Sequence, residues 1–215
     1  MAAPYRLIVF DFDGTLVDTV ADIAHHANRT LDQHGFGPKP LDEIRRSIGW
    51  GVHELLSLLA PPLGQDPHKL EEAVEHFKRS YRDQPVLHTT PFPHVVRMLG
   101  GTLAGSDLAI VTNKPEDITL RILDLLGMRG HFKRVIGIHA GFAPKPDPAG
   151  LLDVMRTQRA HARETVYIGD SRVDAQTAAA AGVHFGWVSY GYDDHPEGEP
   201  QFRFNSALEW EALVR

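Results

Sequence analysis

Five residues near the start of the chain, Asp11-Phe12-Asp13-Gly14-Thr15, directly follow an apolar run, Tyr5–Phe10. In extended chain, carboxylates at i and i+2 project to the same side. Gly14 permits a tight turn and a close backbone approach. The plainer alternative is a polar turn after a strand, where Asp-Gly is common. A calcium loop does not fit, because the glycine stands fourth rather than sixth and the twelfth position is Asp22, not Glu. A second acidic pair lies in Gly169-Asp170-Ser171-Arg172-Val173-Asp174, after the apolar run Thr165–Ile168. Asp170 and Asp174 are four apart across a strand-to-helix turn. They could equally serve as helix caps, with Asp170 or Ser171 at the N-cap and Asp174 in the first turn. If the two pairs converge, carboxylates about 4 Å apart repel by about 4 kcal/mol each at an effective dielectric constant of about 20. A hard cation relieves that repulsion. With oxygen ligands alone, Mg²⁺ carrying several waters is the natural choice.

Two further segments could act on an anion. Val111-Thr112-Asn113-Lys114 ends another apolar run. Its hydroxyl and backbone amides could hold an anion at a helix start, or could simply cap the helix that begins at Pro115. Pro144-Lys145-Pro146-Asp147-Pro148 sets a lysine between two prolines, which restrict its backbone heavily. Lys145 is then either a surface side chain in a stiff turn or a positioned cation facing the carboxylates. No Gly-x-Gly-x-x-Gly opens a helix and no P-loop Gly-Lys pair occurs, which excludes the usual dinucleotide and ATP sites. The thirteen histidines show no zincin-type spacing.

The elements that must carry these residues follow from periodicity. Tyr5–Phe10, Asp107–Thr112, Arg134–Ile138, Thr165–Ile168 and His184–Val188 read as buried strands. Helical patterns over Pro115–Leu126, Asp147–Arg159 and Arg172–Ala181 alternate with them, and a short helix is expected near Ser206–Val214. Gly127 and Gly182 stand where helix C-terminal glycines belong. This alternation predicts an α/β fold: a Rossmann-like parallel sheet with helices on both faces. Residues 11–106 break the rhythm, being far longer than an ordinary crossover. Within them Val20–His34, Leu41–Ile48, Val52–Leu59 and Pro67–Arg82 show helical spacing between proline-rich joints. Residues 17–88 are expected to form a small inserted α-helical cap, with 1–16 and 89–215 forming the core. Insertions of this kind usually sit at the carboxyl ends of the strands, where ligands bind in open α/β sheets.

The chain has 215 residues, no cysteine and a formal net charge of −6. Absent cysteine excludes a thiol nucleophile, a disulfide framework and thiolate zinc sites. The negative balance argues against a nucleic-acid partner, since phosphate contacts need clustered Lys and Arg. No stretch approaches the ~18 apolar residues of a membrane span, and Met1–Arg6 lacks a signal peptide's start, so no membrane partner and a cytoplasmic location are expected. Whether the chain is a monomer or a homodimer stays open.

Taken in order, DFDGTLVDT (Asp11–Thr19), VTNK, KPDP and GDSRVD closely resemble the successive motifs of the haloacid dehalogenase superfamily of phosphohydrolases. The resemblance covers the whole chain, with the helical segment as the cap. SIGWG (Ser47–Gly51), TNKP, GDSRVDAQTAAAAG and SYGY (Ser189–Tyr192) are similar to its phosphoglycolate phosphatase branch. The resemblance implies a Mg²⁺-dependent phosphatase acting on a small phosphorylated metabolite through an aspartyl-phosphate. It implies Asp11 as nucleophile and Asp13 as general acid and base. The metal would be held by Asp11, the backbone carbonyl of Asp13 and Asp170, with Asp174 in support. Thr112 and the amides of Gly14 and Asn113 would hold the phosphoryl oxygens, and Lys145 would stabilise the developing charge. Arg45 and the Gly49-Trp50-Gly51 loop stand where the branch places its substrate-selecting segment. Arg45 could also lie on the solvated face of a helix. A phosphosugar mutase, a pyrophosphatase, a sugar- or nucleotide-phosphate phosphatase, or a non-catalytic phosphate or metal binder are the competing readings.

Overall fold

In the computed structural model, residues 5–138, 141–193 and 198–214 are described. The chain forms two compact units, Met1–Asp18 with Thr90–Arg215, and Thr19–Thr89.

The first unit is built on a sheet of six strands: β1 (Leu7–Phe10), β4 (Asp107–Pro115), β5 (Arg134–Ile138), β6 (Thr165–Gly169), β7 (His184–Val188) and β8 (Phe202–Phe204). A two-stranded ribbon, β2 (Val17–Asp18) with β3 (Thr90–Pro91), stands apart from it. The sheet order is β5-β4-β1-β6-β7-β8, with every pairing parallel. Counted along the sheet strands alone, this is the Rossmann order 3-2-1-4-5-6. Its direction of winding reverses between β1 and β6, and in such sheets the crevice at that reversal is where ligands bind. Asp11 follows β1 and Asp170 follows β6. The topology therefore brings the two acidic motifs of the sequence side by side.

The strands are apolar on both faces because helices cover both. On one face Leu7, Val9, Ala109, Val111 and Tyr167 pack with Leu151, Val154 and Met155 of α8 (Ala149–Gln158) and Ala175 and Ala178 of α9 (Arg172–Ala181). On the other, Phe10 meets Phe132 edge to face and packs on Trp210. Trp210 belongs to a 3-10 helix, Ala207–Leu213, where the sequence suggested an α-helix. This unit also holds α6 (Val95–Gly100) and α7 (Glu116–Leu125).

The second unit holds α1 (Val20–Gln33), α2 (Leu41–Arg46), α3 (Val52–Leu59), α4 (Pro61–Gly64) and α5 (Pro67–Asp83). Ile23, Ala27 and Leu31 of α1, Leu55, Leu56 and Leu59 of α3, and Val74, Phe77 and Tyr81 of α5 are buried. Asp22, in the first turn of α1, accepts hydrogen bonds from the backbone N–H groups of Leu87, His88 and Thr89 and from the Thr89 hydroxyl, at 2.6–3.0 Å. One carboxylate thus ties the end of this unit back to its beginning. Among the described residues no helix is long and apolar enough to cross a membrane.

Candidate active site

β4 continues three residues beyond the expected end at Thr112, to Pro115, and the following helix starts at Glu116. Between Val111 and Pro115 the register against β5 shifts, so Thr112, Asn113 and Lys114 lie in an irregular stretch of the strand. Lys114 Nζ donates to both carboxylate oxygens of Asp13, at 3.1 and 3.3 Å, with both side chains largely buried. Asn113 makes a reciprocal amide pair with the backbone of Lys145. Its Nδ2 donates to the Lys145 carbonyl at 3.0 Å, and its Oδ1 accepts from the Lys145 N–H at 2.8 Å. The sequence signals neither contact, because an irregular strand end carries no readable period.

Lys145 is buried, not a surface side chain in a stiff turn. Asp147 supplies the local capping instead, accepting from Ala149 N–H at 2.8 Å at the start of α8. The Lys145 ammonium donates to Asp174 Oδ1 at 2.6 Å and to the Tyr167 hydroxyl at 3.0 Å. It stands 2.9 Å from Asp11 Oδ1, but off the line of a hydrogen bond, so that buried oxygen has no aligned donor.

Asp174 caps a helix with one carboxylate oxygen and meets the buried lysine with the other. Its Oδ2 accepts from the backbone and hydroxyl of Ser171, the N-cap of α9, at 3.0 and 2.7 Å, while its Oδ1 faces Lys145. Asp170 is no cap. Its Oδ1 accepts from the Thr15 hydroxyl at 2.9 Å and its Oδ2 from Tyr192 N–H at 2.8 Å. Three glycines make room for the acids. A Cβ on Gly14 or Gly191 would overlap the Asp170 carboxylate, and one on Gly169 would overlap Asp174. Gly14 also needs φ +82°, which a side chain disfavours. Its N–H donates to the Val17 carbonyl at 3.0 Å. Gly14 thus shapes the loop and clears space for Asp170.

Asp11, Asp170 and Asp174 are all buried, each with a carboxylate oxygen within 4.8 Å of the others. Burial, with Asp174 beside it, pushes the Asp11 carboxyl up to about 7 against the pull of Lys145. Burial, with Asp174 and Asp11 nearby, holds Asp170 well above the ordinary carboxylate range. Burial alone would lower Lys145, but Asp11 and Asp174 outweigh it and hold the ammonium well above its usual value. The three clustered carboxylates have one ammonium beside them, paired with Asp11 and Asp174, which leaves an excess of two negative charges when all ionise. A divalent cation matches that excess. The all-oxygen donor set and the undonated Asp11 Oδ1 suit a hard ion.

This constellation has relatives. The sequence profile of the haloacid dehalogenase-like hydrolases matches residues 8–188. The chain belongs to that family. A phosphoglycolate phosphatase of Aquifex aeolicus is 32% identical over 188 residues, covering 87% of this chain and 86% of the relative. One from Pseudomonas syringae pv. syringae is 36% identical over 208 residues, covering 94% and 75%. In three dimensions the chain is similar to a predicted phosphoglycolate phosphatase from Haemophilus somnus, with a TM-score of 0.90 at 24% identity over 98% of each chain. In this chain the four motifs come together at the carboxyl ends of β1, β4 and β6.

The remaining sequence candidates lie in the helical unit. Arg45 is in α2. Gly49 and Gly51 adopt φ +120° and +89° on either side of Trp50, whose side chain is 41% exposed. Two glycines in a region that side chains avoid thus present an indole at the tip of a loop.

Proposed function

We propose that this phosphatase hydrolyses small phosphate monoesters, with 2-phosphoglycolate as the first candidate, through an aspartyl-phosphate on Asp11. The observation that carries the reading is the buried Asp11 carboxylate, held 2.9 Å from the Lys145 ammonium among carboxylates that no internal cation fully neutralises. Carboxylates are established covalent nucleophiles in phosphoryl transfer. Asp11, Asp170 and the backbone carbonyl of Asp13 would hold Mg²⁺, with Asp174 in support. When bound, Mg²⁺ would neutralise charge between the nucleophile and the phosphate.

In the first step an Asp11 oxygen attacks phosphorus, the bond from phosphorus to the ester oxygen breaks, and Asp13 delivers a proton to the departing alkoxide. In the second, Asp13 takes a proton from water, whose oxygen attacks phosphorus, releasing inorganic phosphate and the Asp11 carboxylate. The Asp13–Lys114 ion pair is the proton-accepting form of this residue, suited to the second step. Acid–base help of this kind is worth roughly 10²–10⁴ in rate. The Thr112 hydroxyl and the N–H groups of Asn113 and Gly14 would hold phosphoryl oxygens. A loose transition state leaves mainly positioning and electrostatics to the protein. Arg45 and the Gly49-Trp50-Gly51 loop remain proposed substrate contacts, a guanidinium suiting the carboxylate of a small acid phosphate.

The test is a panel of phosphate monoesters assayed with Mg²⁺, including 2-phosphoglycolate, glucose phosphates and an aryl phosphate. Preference for the small acid supports the substrate class, and preference for bulky sugar phosphates removes it. No turnover of any ester with Mg²⁺, Mn²⁺ or Co²⁺ contradicts the phosphatase reading as a whole.

A further inference from the structure

Tyr167 sits in the middle of β6, fully buried among the apolar side chains of one sheet face. A tyrosine in such a place must spend its hydroxyl on a partner. Its oxygen lies 2.6 Å from the Val111 carbonyl, 3.0 Å from Lys145 Nζ and 3.3 Å from Asp174 Oδ1. A phenol has one proton, and the Val111 carbonyl is the nearer of its two acceptors. Toward Lys145 the phenol oxygen is therefore an acceptor.

The consequence concerns the ammonium. It has three N–H bonds and no acceptor. One is taken by Asp174 and one by Tyr167. The third is aligned with no oxygen of Asp11, although Oδ1 lies 2.9 Å away, and is left for the phosphoryl group that Asp11 would attack. With two directions fixed, the third has no freedom to turn away. Asn113 holds the other end of the same residue by its backbone N–H and C=O. The Tyr167 ring adds to this, its centroid lying 5.6 Å from Nζ. All of these contacts lie within one compact unit.

We propose that Tyr167 is a positioning residue for phosphoryl transfer, fixing the Lys145 ammonium beside Asp11 so that one N–H is held for the transferring phosphoryl group. This rests on the reading of Asp11 as nucleophile. An interaction set in place beforehand and fully used only as charge develops raises kcat rather than lowering KM. A merely structural tyrosine, filling the core and donating to Val111, would lower stability and leave kcat alone.

The experiment is Tyr167→Phe, which keeps the ring and removes the oxygen, measured in the wild-type and Lys145→Met backgrounds. Acting through Lys145, the change lowers kcat roughly 10- to 100-fold in the wild type, with KM within about twofold, and costs little more in Lys145→Met. Vanadate affinity falls by a factor close to that in kcat, while inorganic phosphate affinity holds. Equal losses in both backgrounds, or an unchanged kcat with a lower melting temperature, overturn the assignment. Asn113→Ala releases the same lysine from its backbone end and serves if Tyr167→Phe does not fold. A kcat loss at steady KM, absent from the Lys145→Met background, then supports a positioned ammonium, and no loss overturns it. Asp11→Asn assayed alongside separates the two claims, because turnover by that variant defeats the nucleophile reading itself.

Discussion

Asp170 lies between two glycines, and neither could carry a side chain without entering its carboxylate. Gly191 is the more informative position, because it stands outside the acidic motifs and its φ is not in the left-handed region. Gly191→Ala is expected to displace Asp170 while leaving the sheet intact. The Mg²⁺ concentration for half-maximal activity should rise roughly 10- to 100-fold, with much of the rate recovered at saturating metal. A metal titration checks this, and an unchanged midpoint shows that Asp170 is not held by that contact. The four aspartates and Lys145 were legible in the sequence because acidic pairs after apolar runs, and a lysine between prolines, are unusual enough to point at chemistry. Tyr167 and Lys114 were not. A tyrosine inside an apolar strand reads as core, and only its unspent hydroxyl, two residues before Gly169-Asp170, hinted otherwise. Lys114 was hidden by a misplaced strand end. β4 runs on to Pro115 through an irregular stretch, where no period in the sequence places Lys114.

Helix α1 starts with a carboxylate that holds three consecutive backbone N–H groups of residues 87–89. Burial opposes ionisation of Asp22, but the Thr89 hydroxyl and these amides outweigh it and lower its pKa below the ordinary value. The sign follows directly. The folded form binds its proton less readily than the unfolded form, so this stabilisation is present above the ordinary carboxylate pKa and is lost as pH falls through the lowered one. Asp22→Asn is expected to destabilise the Thr19–Thr89 unit by about 1–3 kcal/mol, since an amide NH₂ cannot accept from those donors. Amide hydrogen exchange at residues 87–89 reads this out, and unaltered protection there would mean that the latch contributes nothing. The helices of this unit were legible from their spacing and proline-rich joints. The strand Phe202–Phe204 was missed because three residues at a sheet edge offer no period to read. The ribbon of β2 and β3 escaped for the same reason, each strand having two residues.

The alternation of strands and helices after residue 107 is regular enough that a parallel sheet was the natural expectation, and its Rossmann order explains why motifs distant in sequence share one end of it. The net charge of −6 is best understood locally, since part of it is a buried cluster whose repulsion a divalent ion would relieve. Without metal, Asp11 in the folded chain keeps its proton up to about pH 7, whereas an unfolded aspartate loses it near 4. This group's contribution to stability is therefore complete below about pH 4 and is lost as pH rises through about 7. Mg²⁺ should reverse the trend. At about 100 times its dissociation constant it adds about 2.7 kcal/mol, or about 5–10 °C in melting temperature for a chain of this size. That increment should be larger at pH 8 than at pH 5.5, where protons compete for the same oxygens, and Asp11→Asn should flatten the metal-free pH dependence. Equal melting shifts at both pH values would separate the metal from these carboxylates. The central claim, a phosphoryl group carried on Asp11, has a direct measurement: acid quench during steady turnover, borohydride reduction of the acyl phosphate and peptide mass analysis. The account predicts homoserine at position 11. Turnover with position 11 unmodified, or with another carboxylate reduced in its place, contradicts it.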